Sequence, residues 1–205
     1  MIVTSSAFPL FYSKYTNQEQ SAEDPISNVD LVTLTDALRS MKESISQDWR
    51  LQGEGMEETE NRDDEQKQWS DRVEDAILMC NVYSALTPAD AQFLYQVDGV
   101  PVGVITMDRR HQAINTPYIQ VFVTHPGSSG AGAALLEQAV KKSIEYGGLG
   151  QLLVSPIDSS SPAYEALGFS KIAGGLLLDP AKSEKWQLFG DAWRLINSVG
   201  ELKTG

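Results

Sequence analysis

The stretch HPGSSGAGAALLEQAV, His125–Val140, places three glycines and two serines directly ahead of a segment with helical spacing. A small-residue turn that opens into a helix offers one piece of chemistry without any charged side chain. The first amides of the helix have no intrahelical partner, their dipoles point outward, and the lack of bulk lets an anion approach them. A pyrophosphate is such an anion. Other phosphate loops fit less well: Gly127 and Gly132 have the glycine spacing of a nucleotide-triphosphatase loop, but Ala133 and Ala134 stand where its lysine and hydroxyl residue belong. A dinucleotide fingerprint starting at Gly130 needs a third glycine where Leu135 stands, and the hydrolase elbow Gly-x-Ser-x-Gly, started at Gly127, meets Ala131 instead of its second glycine. A plain strand-to-helix turn is the structural alternative.

The remaining reactive side chains narrow the chemistry further. One cysteine, Cys80, excludes an internal disulfide and a Cys-rich zinc site, and its neighbours Ala76, Ile77, Leu78 and Met79 read as a buried apolar setting. The two histidines are His111 and His125, for each of which a surface or hydrogen-bonding role is the plain alternative. The formal charge is -12, from 28 acidic against 16 basic residues, which disfavours nucleic acid and favours a cationic partner. Seven acids and one arginine crowd into EGMEETENRDDEQ, Glu54–Gln66. No run approaches the roughly 18 to 20 apolar residues of a membrane span, and the start of the chain lacks the pattern of a signal peptide. A cytoplasmic location is expected.

The elements that must position these residues follow from periodicity. Val29, Leu31, Val32, Leu34, Leu38 and Met41 predict a first helix capped by Ser27 or Asn28, and Trp69, Val73, Ala76, Ile77 and Cys80 predict a second. A strand is expected around Ala7–Tyr12. Asp98-Gly99 joins two β-rich runs as a hairpin. A third run puts Tyr118, Gln120, Phe122 and Thr124 on one face and Ile119, Val121 and Val123 on the other, and leads into the glycine turn. Ala133, Leu136, Val140 and Ile144 predict the helix after it, ending at Gly147-Gly148. GQLLVSPI reads as a strand, and SSPAYEALGF as a short helix with Ser161 as cap, Pro162 at its first position and Gly168 as terminator. Lys171–Leu178 and Trp186–Phe189 are further strands, while DAWRLINSV reads as either strand or helix. One strand–helix–strand crossover inside a mainly antiparallel sheet gives a mixed α/β plan.

Three groups of residues stand in one order: Val123-Thr124-His125-Pro126, then Gly130-Ala131-Gly132, then Tyr164-Glu165-Ala166-Leu167-Gly168-Phe169. On these, roughly residues 85 to 175 resemble the GNAT superfamily of N-acetyltransferases. The resemblance implies an α/β (mixed) fold whose mostly antiparallel central sheet is splayed between the fourth and fifth strands and flanked by helices. It implies an N-terminal segment over residues 1–26, with a first strand, and one acyltransferase domain over 27–205 carrying the acidic loop 53–66. Acetyl-CoA would be the acyl donor, with no metal. Its pantetheine would pair with main-chain groups of Phe122 and Val123, and its pyrophosphate with amides of Ser128, Ser129, Gly130, Ala131, Gly132 and Ala133. Tyr164 would be the general acid that protonates the leaving thiolate.

Two positions depart from the family pattern. Gly127 stands where an arginine or glutamine is usual, and Gln120 where many members carry an acid that serves as base. The base therefore lies elsewhere, with Asp108 and His111 as candidates and His125, at the phosphate end, the weaker one. The acceptor implied is a primary amine: a protein lysine, an N-terminus, or a cationic small molecule drawn in by the acidic loop. Neither nucleic acid nor membrane is expected as a partner, and a homodimer is left open. Gly127 and Gln120 also favour a different class, a catalytically weak acyl-CoA-binding or interaction module. The Ser/Thr/Gln-rich start prompts a third, a secreted bacterial effector.

Overall fold

The structure, a computed structural model, describes residues 25–51, 73–81, 89–109, 116–128, 130–156 and 160–196 of the 205. In chain order these form β1 (Ile26–Asn28), α1 (Leu31–Leu51), α2 (residues 73–81), β2 (Ala91–Val97), β3 (Val100–Asp108) and β4 (Tyr118–Thr124). There follow α3 (Ala131–Glu145), β5 (Leu152–Val154), α4 (Ser161–Ala166), β6 (Phe169–Ile172), β7 (Gly175–Leu178), β8 (Trp186–Phe189) and β9 (Ala192–Leu195). The strand expected around Ala7–Tyr12 and the acidic loop lie outside the described residues.

One seven-stranded sheet runs β1-β2-β3-β4-β5-β7-β6, with β8 and β9 as a separate hairpin. Every neighbouring pair in the large sheet is antiparallel except β4 and β5, the pair joined by the α3 crossover. The Asp98-Gly99 turn closes β2 onto β3 with both residues at positive φ, 51° and 76°, the twist a two-residue hairpin needs. The last segment, left open between strand and helix, is the strand β9.

Helices cover both faces of the sheet. On one face Leu34, Leu38, Met41 and Ile45 of α1 and Val73, Ala76 and Cys80 of α2 pack on Leu94, Val104, Val121 and Val123. On the other, Leu135, Leu136, Ala139 and Val140 of α3 pack on Phe93, Ile105, Met107, Ile119 and Leu152. Val32, expected on the buried face of α1, is 70% exposed, and Ile144, expected on that of α3, is 42% exposed. Both stand just off stripes whose width the neighbouring leucines already fill. The cap of α1 is Asp30 rather than Ser27 or Asn28, because those two belong to β1. Asp30 Oδ1 accepts the Thr33 amide at 2.8 Å, and that bond holds the Asp30 carboxyl below its usual range.

The strict alternation expected along β4 breaks at one residue. Thr106 pairs with Val121 and Met107 with Ile119, so Gln120 is an extra residue with no partner across β3. The bulge turns the strand over: Ile119 packs in the α3-side core, whereas Val121 and Val123 pack in the α1-side core. Beyond the bulge β4 also leaves β5. Their pairing consists of Tyr118 with Leu153 and Ile119 with Val154, after which β5 ends. Among the described residues, the edge of β4 from Gln120 to Thr124 thus has no strand beside it on the β5 side.

Candidate functional site

The parting of β4 from β5 makes a cavity of about 240 Å³. Gln120, Phe122 and Thr124 line it from β4, Val154, Ser155 and Pro156 from the end of β5, and Gly132 from the start of α3. Ser160, Ala163, Tyr164 and Leu167 close it from α4, and Met79 reaches it from α2. The gap therefore touches the helical layers on both faces of the sheet. Its size is below the roughly 300 to 1,000 Å³ of pockets that engulf a drug-sized ligand. It suits the reacting end of a long molecule rather than the whole of one.

Tyr164 is the one ionisable side chain among the described residues of this lining. It is 9% exposed, and its ring lies 6.0 Å from that of Phe122 and 5.3 Å, edge-on, from that of Phe169. These contacts fix where the phenol points. The short helix carrying it begins one residue earlier than expected, with Ser160 rather than Ser161 at the cap position and no side-chain capping bond. Its support comes from its C-terminal end. Lys185 Nζ donates to the carbonyls of Glu165 and Ala166 at 3.2 and 2.8 Å, and Trp186 Nε1 to that of Leu167 at 2.9 Å. An ammonium and an indole N–H thus meet carbonyls that a helix end leaves unsatisfied. Gly168 then turns the chain at φ 96°, where a Cβ would stand 2.5 Å from Ser183 Oγ and 3.0 Å from the Trp186 ring. Sequence reasoning found Tyr164 and Gly168 but missed Lys185 and Trp186, since nothing local ties residues twenty positions apart.

At the other end the turn is built from its own backbone. Gly130, at φ 80°, is the N-cap of α3 and makes no side-chain capping bond, so the amides of Ala131, Gly132 and Ala133 are left to the turn's surroundings by the geometry of the helix. A Cβ on Gly132 would lie 3.6 Å from the Phe122 ring and 3.8 Å from Thr124, so the helix start faces β4. The Ala131 side chain is buried in the core, which leaves its amide as the only group it offers. Val123 packs its side chain on the α1 face and pairs its main chain with Val104 of β3, so the sequence-based expectation that it meets the pantetheine falls instead on its neighbours Phe122 and Thr124, whose main-chain groups face the free edge. His125 is 3% exposed and organises the turn: its Nδ1 accepts the Gly127 amide at 3.0 Å and its carbonyl accepts the Ser128 amide and hydroxyl at 2.9 and 2.7 Å. Ser44 Oγ of α1 sits 3.4 Å from its Nε2. His125 does not line the cavity.

Gln120 and Asp108 are brought together, with Gln120 Nε2 donating to Asp108 Oδ2. His111 and Ser129 lie outside the described residues. Cys80 is buried in the α1-side core, where desolvation pushes its thiol from 9.0 up to about 11. Among the described residues no group of three or more metal-ligating side chains occurs, and no helix is long and apolar enough to cross a membrane.

Comparison with known proteins agrees with this geometry. The family model of the acetyltransferase (GNAT) domain matches residues 57–175, more than half of the chain. Solved structures with a similar plan include the PaiA N-acetyltransferase of Thermoplasma acidophilum in complex with coenzyme A, at 15% identity and a TM-score of 0.41, over 74% of this chain and 94% of that one. A predicted acetyltransferase with acetyl-CoA from Clostridium acetobutylicum is also 15% identical, with a TM-score of 0.39 over 78% and 97%. A chimera of the spermidine N-acetyltransferase SpeG of Vibrio cholerae and hSSAT is 14% identical, with a TM-score of 0.38 over 76% and 95%. A search of curated proteins returns no match. With a model match of this extent over a sheet that splays between its fourth and fifth strands, the chain belongs to the acetyltransferase (GNAT) family.

Proposed function

We propose that this protein is an acetyl-CoA-dependent N-acetyltransferase that transfers an acetyl group directly to a primary amine. The observation that carries the reading is the free edge of β4 over Gln120–Thr124, which faces a cavity whose described lining holds one ionisable group, Tyr164. Acetyl-CoA, when bound, supplies an acyl group already activated as a thioester. The residues present fit such a ligand. The main-chain groups of Phe122 and Thr124 offer a strand edge for an amide-containing arm, and the amides of Gly130, Ala131, Gly132 and Ala133 offer a cradle for a pyrophosphate. Ser129, just ahead of them, would extend it, whereas the Ser128 amide is already given to the His125 carbonyl and Val123 is paired with Val104.

The work left to this chain is then positioning and proton transfer. The β4 edge and Gly132 hold the reacting end against the splay, converting an encounter into a fixed approach. Tyr164 Oη gives its proton to the sulfur that leaves, in a cavity whose apolar walls disfavour a naked thiolate. The acceptor nitrogen gives up its own proton in turn, and His111 is the candidate to take it, because Asp108 already accepts from Gln120.

A net charge of -12 and the seven acids of Glu54–Gln66 favour a cationic amine acceptor, such as a polyamine, an amino sugar or a lysine on a basic protein. Calorimetry with acetyl-CoA and desulfo-CoA, followed by thiol release over spermidine, glucosamine and a lysine-rich peptide, tests the reading. Binding of both cofactor forms and release with at least one amine is expected, and absence of binding refutes it. Gly127, which carries no side chain to anchor a phosphate, favours the second reading of a non-catalytic acyl-CoA-binding module. Binding without release on any amine supports that one instead.

A further inference from the structure

The hydrogen bond between Gln120 and Asp108 does more than fill space at the bulge. A carboxylate can only accept, so the amide must present its nitrogen to Asp108 and turn its carbonyl oxygen the other way. Gln120 lines the cavity, and among the described residues nothing donates to its Oε1. It is also the bulged residue of β4, with no cross-strand partner to constrain it, so its orientation rests on Asp108. No described cation lies within ion-pair range of Asp108. Arg109, the next residue, stacks instead over the Tyr146 ring at 4.8 Å and gives its amide to Asp90.

Resting on the proposed acetyl transfer, we infer that Asp108 is a positioning residue that locks Gln120 with its carbonyl oxygen toward the acceptor, so that Gln120 recognises the acceptor as an N–H donor. A glutamine free to flip would present its NH2 group to the amine half of the time and donate to the lone pair that must attack the thioester. Held by a carboxylate, it presents an acceptor only, and a neutral one, which orients an N–H without trapping an ammonium ion as an ion pair would. The absence of an acid at this position thereby becomes a device for orienting the acceptor amine.

The test uses the full chain. The Gln120 side-chain amide resonances, assigned by their loss in Gln120→Glu, are followed in 15N-labelled protein. Asp108→Asn should shift that pair while leaving the backbone spectrum of the core in place. Kinetically, Asp108→Asn should raise the acceptor KM about tenfold, with acetyl-CoA KM and the shape of the kcat pH profile unchanged. The double variant Asp108→Asn/Gln120→Glu, in which an amide now donates to a carboxylate, should recover the acceptor KM to within about threefold of wild type. Unmoved Gln120 resonances in Asp108→Asn overturn the inference. So does loss of the acidic limb of the kcat profile at constant acceptor KM, which makes Asp108 a base. If the wild-type chain neither binds acetyl-CoA nor releases thiol, the proposed function fails, while the resonance measurement still decides the orientation of Gln120.

Discussion

The two ends of the cavity are held by different means. The α4 end, with Tyr164, depends on side chains from far along the sequence, since Trp186 and Lys185 bind the last carbonyls of α4 and Gly168 is wedged against Trp186 and Ser183. The turn before α3 depends on its own neighbours, since His125 receives Gly127 and Ser128 within three residues of itself. Long-range support places one phenol with precision and fails as a unit. Short-range support places a row of amides, each of which is replaceable. The first end should therefore be brittle and the second tolerant.

The largest departure is expected at the brittle end. Tyr164→Phe keeps the ring contacts with Phe122 and Phe169 and removes only the hydroxyl. It should lower the rate of thiol release by about 10²- to 10⁴-fold, the scale of a lost general acid, with acetyl-CoA affinity unchanged by calorimetry. Trp186→Ala comes next, costing about 3 to 5 kcal/mol in chemical denaturation, whereas Trp186→Phe, which loses the bond to Leu167, should cost about 1 kcal/mol. No measurable cost in Trp186→Phe would show that α4 is not held through that bond. At the tolerant end Gly127→Arg should tighten acetyl-CoA binding by about three- to tenfold. A Cβ there stands 3.3 Å from the buried His125 ring, so that ring must shift by a few tenths of an ångström to admit it. Weaker binding would show that the turn is as demanding as α4.

Cys80 lies outside both ends and gives the smallest effect. With its thiol raised to about 11, the folded chain should react slowly with a disulfide reagent at pH 8 and rapidly once unfolded. Because the unfolded thiol ionises first, between pH 9.0 and about 11, stability should fall with rising pH across that window.

This contrast also marks what a linear reading can reach. Gly130, Gly132, Tyr164 and Gly168 announce themselves because each is needed for a local reason: a left-handed turn, a helix start, a one-turn helix and its end. The hairpin at Asp98-Gly99 and the α3 crossover are legible on the same ground. Lys185 and Trp186 are not, since their partners are carbonyls about twenty residues away and carbonyls leave no trace in residue type. The bulge at Gln120 escaped because alternation predicts a continuous strand, and one extra residue in an otherwise regular run changes no composition. Asp30 was hidden as a cap by two residues, Ser27 and Asn28, that satisfy the same preference and are used in a strand instead.

The central claim is that the free edge of β4 and the first amides of α3 form one backbone cradle. The most direct test is a titration of 15N-labelled full-length protein with desulfo-CoA, following backbone amides. The account predicts the largest shifts at Phe122, Thr124, Gly130, Gly132 and Ala133, saturating together with one Kd. Binding that leaves those amides unmoved, or saturates the two groups at different Kd values, would contradict it.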